Sequence, residues 1–227
     1  MTKHALSTRL WHWINAGAII VLFMSGLNIS NAHPYLYWGD YGFAPSDAWL
    51  KVVKFPGWAT IPGHYNLAAA RDWHILAAWP FGLGFIWAAM LLNGHFRRDL
   101  TTRPSDWTLA ALRASLQAHG AGGHAAGAGY NPVQKILYGL VLGVLLPLML
   151  MTGLAISPGF EPVAPWLVDL LGGRQSARSL HFLTAWAIFG FFVIHILLAL
   201  ANGRLILEMV TGGRRAAAAP LEGAPHG

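Results

Sequence analysis

Four apolar runs punctuate the chain, at about 10–29, 73–92, 133–156 and 180–201, and the segments between them are of very different character. Each run is near 20 residues, the length at which a helix crosses a hydrocarbon core. The fourth, Leu180–Ala201, carries no formal charge over its 22 residues and spans about 33 Å as a helix. The first opens with Arg9-Leu-Trp-His12-Trp. Its length, its histidine and its two tryptophans favour a retained helix over a cleaved signal segment, and Asn-Ala-His after it is a poor cleavage site. In the third run Gly139 and Gly143 would permit close helix contact, and Pro147 is expected to kink the helix.

The connections divide by composition. Residues 31–71 are rich in aromatics, proline and glycine, and about 40 residues is long for a structureless link, so a folded cap is expected. Within it, 46–54 reads as a short interfacial helix capped by Ser46. Residues 100–130 read as a polar, Gly/Ala-rich mobile loop, 157–179 as a second capping loop, and 214–227 as a disordered tail. No long-range repeat stands out. The sequence therefore predicts one domain over 1–213, an all-α four-helix transmembrane bundle.

Composition narrows the class. The chain is 55% hydrophobic and 11% charged, with mean hydropathy +0.46, which places it with membrane proteins. There are no cysteines, which excludes disulfides, cysteine-ligated clusters and covalently attached haem. The net charge of +6 points to membrane topology and not to nucleic acid, because the basic residues sit between the apolar runs. Of the 15 Lys and Arg, ten lie on the side shared by both termini and five on the other. The positive-inside rule then sets both termini in the cytoplasm of a bacterial inner membrane.

Histidines carry the candidate chemistry, because imidazole inside a membrane helix is costly and marks a pathway or a ligand site. His181 and His195 stand fourteen residues apart on the fourth run, within roughly 40° of one face and about 21 Å apart along it. Topology puts His74 at the depth of His181, near the outer side, and His12 at the depth of His195, near the inner side. Two b-type haems, each ligated by histidines from facing helices of a bundle, account for this sorting. Arg-x-x-His occurs at Arg9/His12, Arg71/His74 and Arg178/His181. An arginine one turn nearer the surface is suited to a haem propionate. The simpler explanation is that arginines flank membrane spans and reach the interface in any case. His95 falls at the inner boundary and is a neighbour of a propionate or a quinone before it is a ligand.

Those segments, together with Tyr130-Asn131-Pro-Val-Gln134-Lys135 and the Gly-Gly-Arg-Gln-Ser-Ala-Arg run at 172–178, resemble the di-haem membrane cytochrome b subunits of formate dehydrogenase and nickel–iron hydrogenase. The branch most similar is that of the thiosulfate reductase cytochrome b subunit. The resemblance covers residues 5–213. It implies the histidine pairing above and an electron relay between the quinone pool and an extracytoplasmic catalytic partner, often a molybdenum enzyme. It also implies a quinone site at Asn131 and Gln134, near the inner pair. Pro132-Val133 departs from the family pattern there. On the residues alone, Asn131, Gln134 and Lys135 also read as ordinary helix capping and an interfacial lysine.

Two other readings remain at this point. One is a stand-alone quinone-linked oxidoreductase, for example a superoxide oxidase, and the other a metal transporter, since imidazole also binds zinc or copper.

Overall fold

Polar residues at the ends of the first two apolar runs do not stop the helices, which grow past them in both directions, and the fourth helix starts six residues before its run. The computed structural model describes residues 6–42, 44–99, 104–120, 132–201 and 203–213. The first run becomes α1 (Leu6–Ala32), followed by the short strands β1 (Tyr35–Leu36) and β2 (Leu50–Lys51). The second becomes α2 (Leu67–Asp99), followed by α3 (Leu109–Gly120). The third is built as α4 (Pro132–Leu140), a π-helical turn over Val141–Leu145, and α5 (Leu146–Ala155). After α6 (Pro165–Leu170) comes the fourth, α7 (Arg174–Ala201), and then α8 (Gly203–Thr211).

Among the described residues four segments are long and apolar enough to cross a membrane: Leu6–Ala32, Leu67–Met90, Pro132–Ala155 and Arg174–Ala201. The runs read from the sequence begin late because they exclude Arg9, Arg71 and Arg178. Such side chains sit in terminal turns and reach the boundary with their ends. Small and weakly polar residues face inward: Ala18, Ser25 and Asn28 on α1, Ala70, Ala77 and Ala88 on α2, Thr152 and Ala155 on α5, Ser176, Ala177, Ser179 and Thr184 on α7. The large apolar residues point out, among them Ile14, Ile20, Leu83, Trp87, Ile194 and Leu198. That inversion suits a bundle whose exterior meets lipid and whose helices meet through small residues.

Several expectations change. Pro147 does not act alone. It lacks the N–H for a bond to Gly143 and would press on that carbonyl, and the chain answers with the π turn immediately ahead of it. The close contact expected at Gly139 and Gly143 is not made, since a Cβ at either would meet nothing within 4 Å. Residues 46–54 are not a helix. Pro45–Asp47 makes a single 3-10 turn and Leu50–Lys51 pairs antiparallel with Tyr35–Leu36, in the register Tyr35↔Lys51 and Leu36↔Leu50. The tertiary anchor of that ribbon is Trp49, whose indole N–H donates to Ser179 Oγ at 3.0 Å. The 100–130 segment is not all loop, because Thr108 Oγ1 accepts from Ala111 N at 3.2 Å and starts α3. Residues 121–131 and the 214–227 tail lie outside the described residues.

The 33–66 connection closes one end of the bundle, called here the capped end. Asn28, fully buried, donates from Nδ2 to the carbonyls of Pro62 and His64, both at 2.9 Å. Ile61 N donates to Met24 O at 3.2 Å. Met24 lies eight residues before the end of α1, about 12 Å down the helix. Irregular backbone at that depth is tolerable only where protein encloses it. At the start of α7, Gln175 N and Ser176 N both donate to Gly39 O, and Gly39 N donates to Ser176 Oγ at 2.8 Å. Those bonds satisfy N–H groups that a helix start leaves over.

Gly173 makes the approach possible: its φ is 102° and a Cβ there would lie 2.6 Å from the Gly39 carbonyl oxygen. Gly173→Ala should therefore cost about 1–3 kcal/mol, read as a lower thermal midpoint of the purified protein. A midpoint unchanged from the parent would show that the cap does not hold α7.

Candidate functional site: two histidine pairs

α7 faces α2 near the capped end and α1 near the opposite end, and at each place two imidazoles come together. His74 and His181 each stand eight residues into their helices. Their ring centroids lie 6.2 Å apart with planes at 61°. At the other crossing, His12 and His195 have centroids 6.3 Å apart and planes at 53°. The pairing expected from depth alone is the one the helices make. Neither pair is stacked. With a metal–imidazole bond of about 2.0 Å, two imidazoles on opposite sides of one metal put their centroids about 6 Å apart. Both gaps fit one haem iron on that test.

The capped-end pair is held from outside. Ser25 Oγ lies 3.0 Å from His74 Nδ1, and Thr152 Oγ1 lies 2.9 Å from His181 Nδ1. Each hydroxyl has its own acceptor one turn back, Val21 O at 2.6 Å for Ser25 and Leu148 O at 2.7 Å for Thr152. With each hydroxyl donating to its own carbonyl, its oxygen is left to accept from an Nδ1–H. Each imidazole is then the tautomer whose lone pair is on Nε2. The other pair is held differently. His195 stacks on Phe191 at 5.8 Å, His12 meets Trp13 edge-on at 5.1 Å, and His12 Nδ1 is buried with no hydrogen-bond partner among the described residues.

The arginines separate. Arg178 donates to Gln175 Oε1 at 2.9 Å. Together with Arg71 it lies close enough to His33 to act on its charge: desolvation first, then Arg178 and Arg71, hold the His33 imidazole below its ordinary value. A cationic rim thus gathers over the His74/His181 pair. His33 joins this rim because α1 ends at Ala32, immediately before it. Arg9 instead gives Nε to Met209 O at 3.2 Å and Nη2 to Val210 O, and Trp13 Nε1 reaches Met209 O at 3.4 Å. These bonds tie the last carbonyls of α8 to the start of α1, which no motif announces.

Of the residues expected around a quinone, Lys135 pairs with Asp106 at 3.7 Å, and Gln134 is also engaged. Both lie at the end of the bundle that holds the His12/His195 pair. Asn131 and the side chain of His95 lie outside the described residues. Among the described residues no group of three or more His, Asp or Glu side chains is placed to hold a bare metal ion.

The geometry also uncovers a repeat that reading along the chain misses. Phe23-Met-Ser-Gly-Leu-Asn-Ile-Ser30 on α1 answers Leu150-Met-Thr-Gly-Leu-Ala-Ile-Ser157 at the end of α5. Arg71-x-x-His-x-Leu-x-Ala-Trp79 on α2 answers Arg178-x-x-His-x-Leu-x-Ala-Trp186 on α7. The two halves are spaced differently because the first capping loop is longer, so no single offset aligns them.

Comparison with known proteins gives a consistent picture. A family model described as prokaryotic cytochrome b561 matches residues 3–212. A putative protein-methionine-sulfoxide reductase subunit, YedZ1, of Azospira oryzae is 28% identical over 211 residues, covering 90% of this chain and 93% of its own length. Probable Ni/Fe-hydrogenase B-type cytochrome subunits are also similar. That of Cupriavidus necator is 26% identical over 226 residues, covering 91% and 83% of the two chains. That of Azotobacter vinelandii is 24% identical over 239 residues, covering 91% and 85%. No solved structure gives a significant match.

Proposed function

Because the chain belongs to the prokaryotic cytochrome b561 family, we propose that this membrane b-type cytochrome holds two haems and relays electrons between the quinone pool and a catalytic partner. The family establishes b-type haem, electron transport and a transmembrane helical bundle, and the metal-transporter reading gives way. The observation that carries the two-haem reading is the pair of matched gaps, 6.2 and 6.3 Å, on one face of α7. The two sites stand about 21 Å apart along that helix.

Haem, when bound, supplies the one-electron chemistry. The chain's own residues do the rest. His74 and His181 would ligate one haem and His12 and His195 the other. Arg71 and Arg178 would hold propionates at the capped end. Arg9 is given no such role, since its guanidinium secures α8. With both termini in the cytoplasm, as the positive-inside count favours, the capped end would lie outside the cytoplasm of a bacterial inner membrane. Gln134, Asn131 and Lys135 would bind quinone at the cytoplasmic end, with His95 as proton donor. The similar proteins are named as subunits of a methionine-sulfoxide reductase and of hydrogenases, so the partner here is a soluble redox enzyme, with a molybdenum protein as the favoured kind. A stand-alone superoxide oxidase is the second reading, and the elaborate cap favours a partner over it.

Reduced-haem quantitation on the protein purified in mild detergent tests the core of this: two low-spin b haems per chain are expected. One haem per chain, or a high-spin spectrum, would refute it.

The docking surface has its own test. Trp38, Tyr41, Trp58 and Trp166 are exposed on the capped-end connections, and such residues are favoured in interface cores. Tyr37 is buried and its carbonyl accepts from Ser179, so deleting 35–41 would damage the cap itself. Replacing the four exposed aromatics with alanine should slow electron delivery at least tenfold (about 1.4 kcal/mol) with haem content unchanged. Delivery at the parent rate would rule this surface out.

A further inference from the structure

The repeat places a hydroxyl and a glycine side by side at equivalent points of both halves, and both points touch a histidine. Ser25 and Thr152 are fully buried. They lie on α1 and α5, the two elements that supply no member of the His74/His181 pair. Beside them, a Cβ on Gly26 would come 3.6 Å from His74 Cε1, and one on Gly153 would come 3.3 Å from His181 Cε1. Each histidine therefore has its Nδ1 at hydrogen-bond distance from a hydroxyl and its ring edge laid against a bare Cα. Each hydroxyl is itself oriented by a carbonyl of its own helix. At the other pair, His12 Nδ1 finds no partner among the described residues.

We propose that Ser25–Gly26 and Thr152–Gly153 form a duplicated cradle that fixes the tautomer and ring orientation of both His74 and His181, and so sets the ligand strength of that site apart from the His12/His195 site. This rests on the two-haem reading above. Four features converge on it: two hydrogen bonds of 3.0 and 2.9 Å, two glycines at close approach, a shared Met-[Ser/Thr]-Gly-Leu signature, and its occurrence once per half. A buried serine or threonine ordinarily satisfies itself on the carbonyl one turn back. These two do so and still aim their oxygen at an imidazole nitrogen on the neighbouring helix. Donation of Nδ1–H makes an imidazole a more basic ligand. A more basic ligand favours ferric iron, so the cradle lowers the potential of the haem held by His74 and His181. Ser25 and Thr152 are positioning residues; they act through the ligands.

The test uses the full chain, purified with its haems, and the variants Ser25→Ala and Thr152→Val. Haem content of the parent chain is measured first, since it bears on the two-haem reading alone. Redox titration followed by low-spin ferric EPR then bears on the cradle. Each variant should raise the potential of one haem by an amount equal to about a tenfold change in its reduction equilibrium, about 59 mV for one electron. The other haem should stay at its parent value. The EPR signal of the affected haem should shift as well, because it follows the angle between the two ring planes. Ser25→Thr and Thr152→Ser, which keep the hydroxyl and exchange the two halves' own residues, should restore the parent potential. Gly153→Ala should perturb that haem more than Gly26→Ala, because its Cβ meets the ring at the shorter distance. The proposal is overturned if the hydroxyl deletions leave both potentials in place, if they move both haems equally, or if the conservative exchanges behave like the deletions. Loss of both haems in Ser25→Ala also overturns it, since the hydroxyl would then be holding the bundle and not the ring.

Discussion

His181→Ala should halve the haem content, removing the haem of the capped end and sparing most of the other. His181 stands 6.2 Å from His74 and on a helix whose second imidazole, His195, lies fourteen residues away in the other pair. Truncation would leave His74 as one imidazole where a bundle site of this kind would draw its ligands from two facing helices. It also strands the buried Thr152 hydroxyl only in part, because Leu148 O still accepts from it. The bundle should therefore survive. Haem extraction and the split of the low-spin signal check this. Equal loss from both sites would mean that His181 supports the fold and would remove the case for two independent centres. His195→Ala is the complementary experiment, with the opposite haem lost.

Quinone reactivity should disappear in Asn131→Leu and Gln134→Leu while both haems stay reducible by dithionite. Quinone reduction takes up protons with electrons, so its site needs hydrogen-bonding groups and a route to water. The start of α4 gathers Gln134 and the Lys135–Asp106 ion pair at the end of the bundle that holds His12 and His195. The capped end instead offers a rim of Arg71 and Arg178 beside His33, whose imidazole is held below its ordinary value by desolvation and then by those arginines, and arginine cannot release a proton. Proton exchange on one side with electron entry on the other makes turnover electrogenic. Normal quinol oxidation by the two leucine variants, or turnover without a membrane potential in sealed vesicles, would place the site elsewhere.

Spacing along the chain announced some of this directly. Fourteen residues between His181 and His195 put two imidazoles on one face of α7 whatever the helix packs against. The need to match depths then left one sensible partner for each. Apolar runs of bilayer length located the four spans to within about six residues at either end, because no backbone polar group can go unpaired in lipid. The absence of cysteine limited how haem could be attached.

Other features depended on contacts between distant segments. Residues 46–54 have a passable helical pattern, but the Leu36–Leu50 pairing and the Trp49–Ser179 bond make them ribbon. Arg9, in the same Arg-x-x-His frame as Arg71 and Arg178, is drawn to the α8 carbonyls, a partner about 200 residues away. The Ser25/Thr152 cradle was written in the chain as a repeat but masked by loops of unequal length. Sequence by itself determined which residues lie at which depth, because that follows from helix rise and bilayer thickness. Which of them touch was decided by the packing of small residues between helices, a property of surfaces that no single stretch of chain contains.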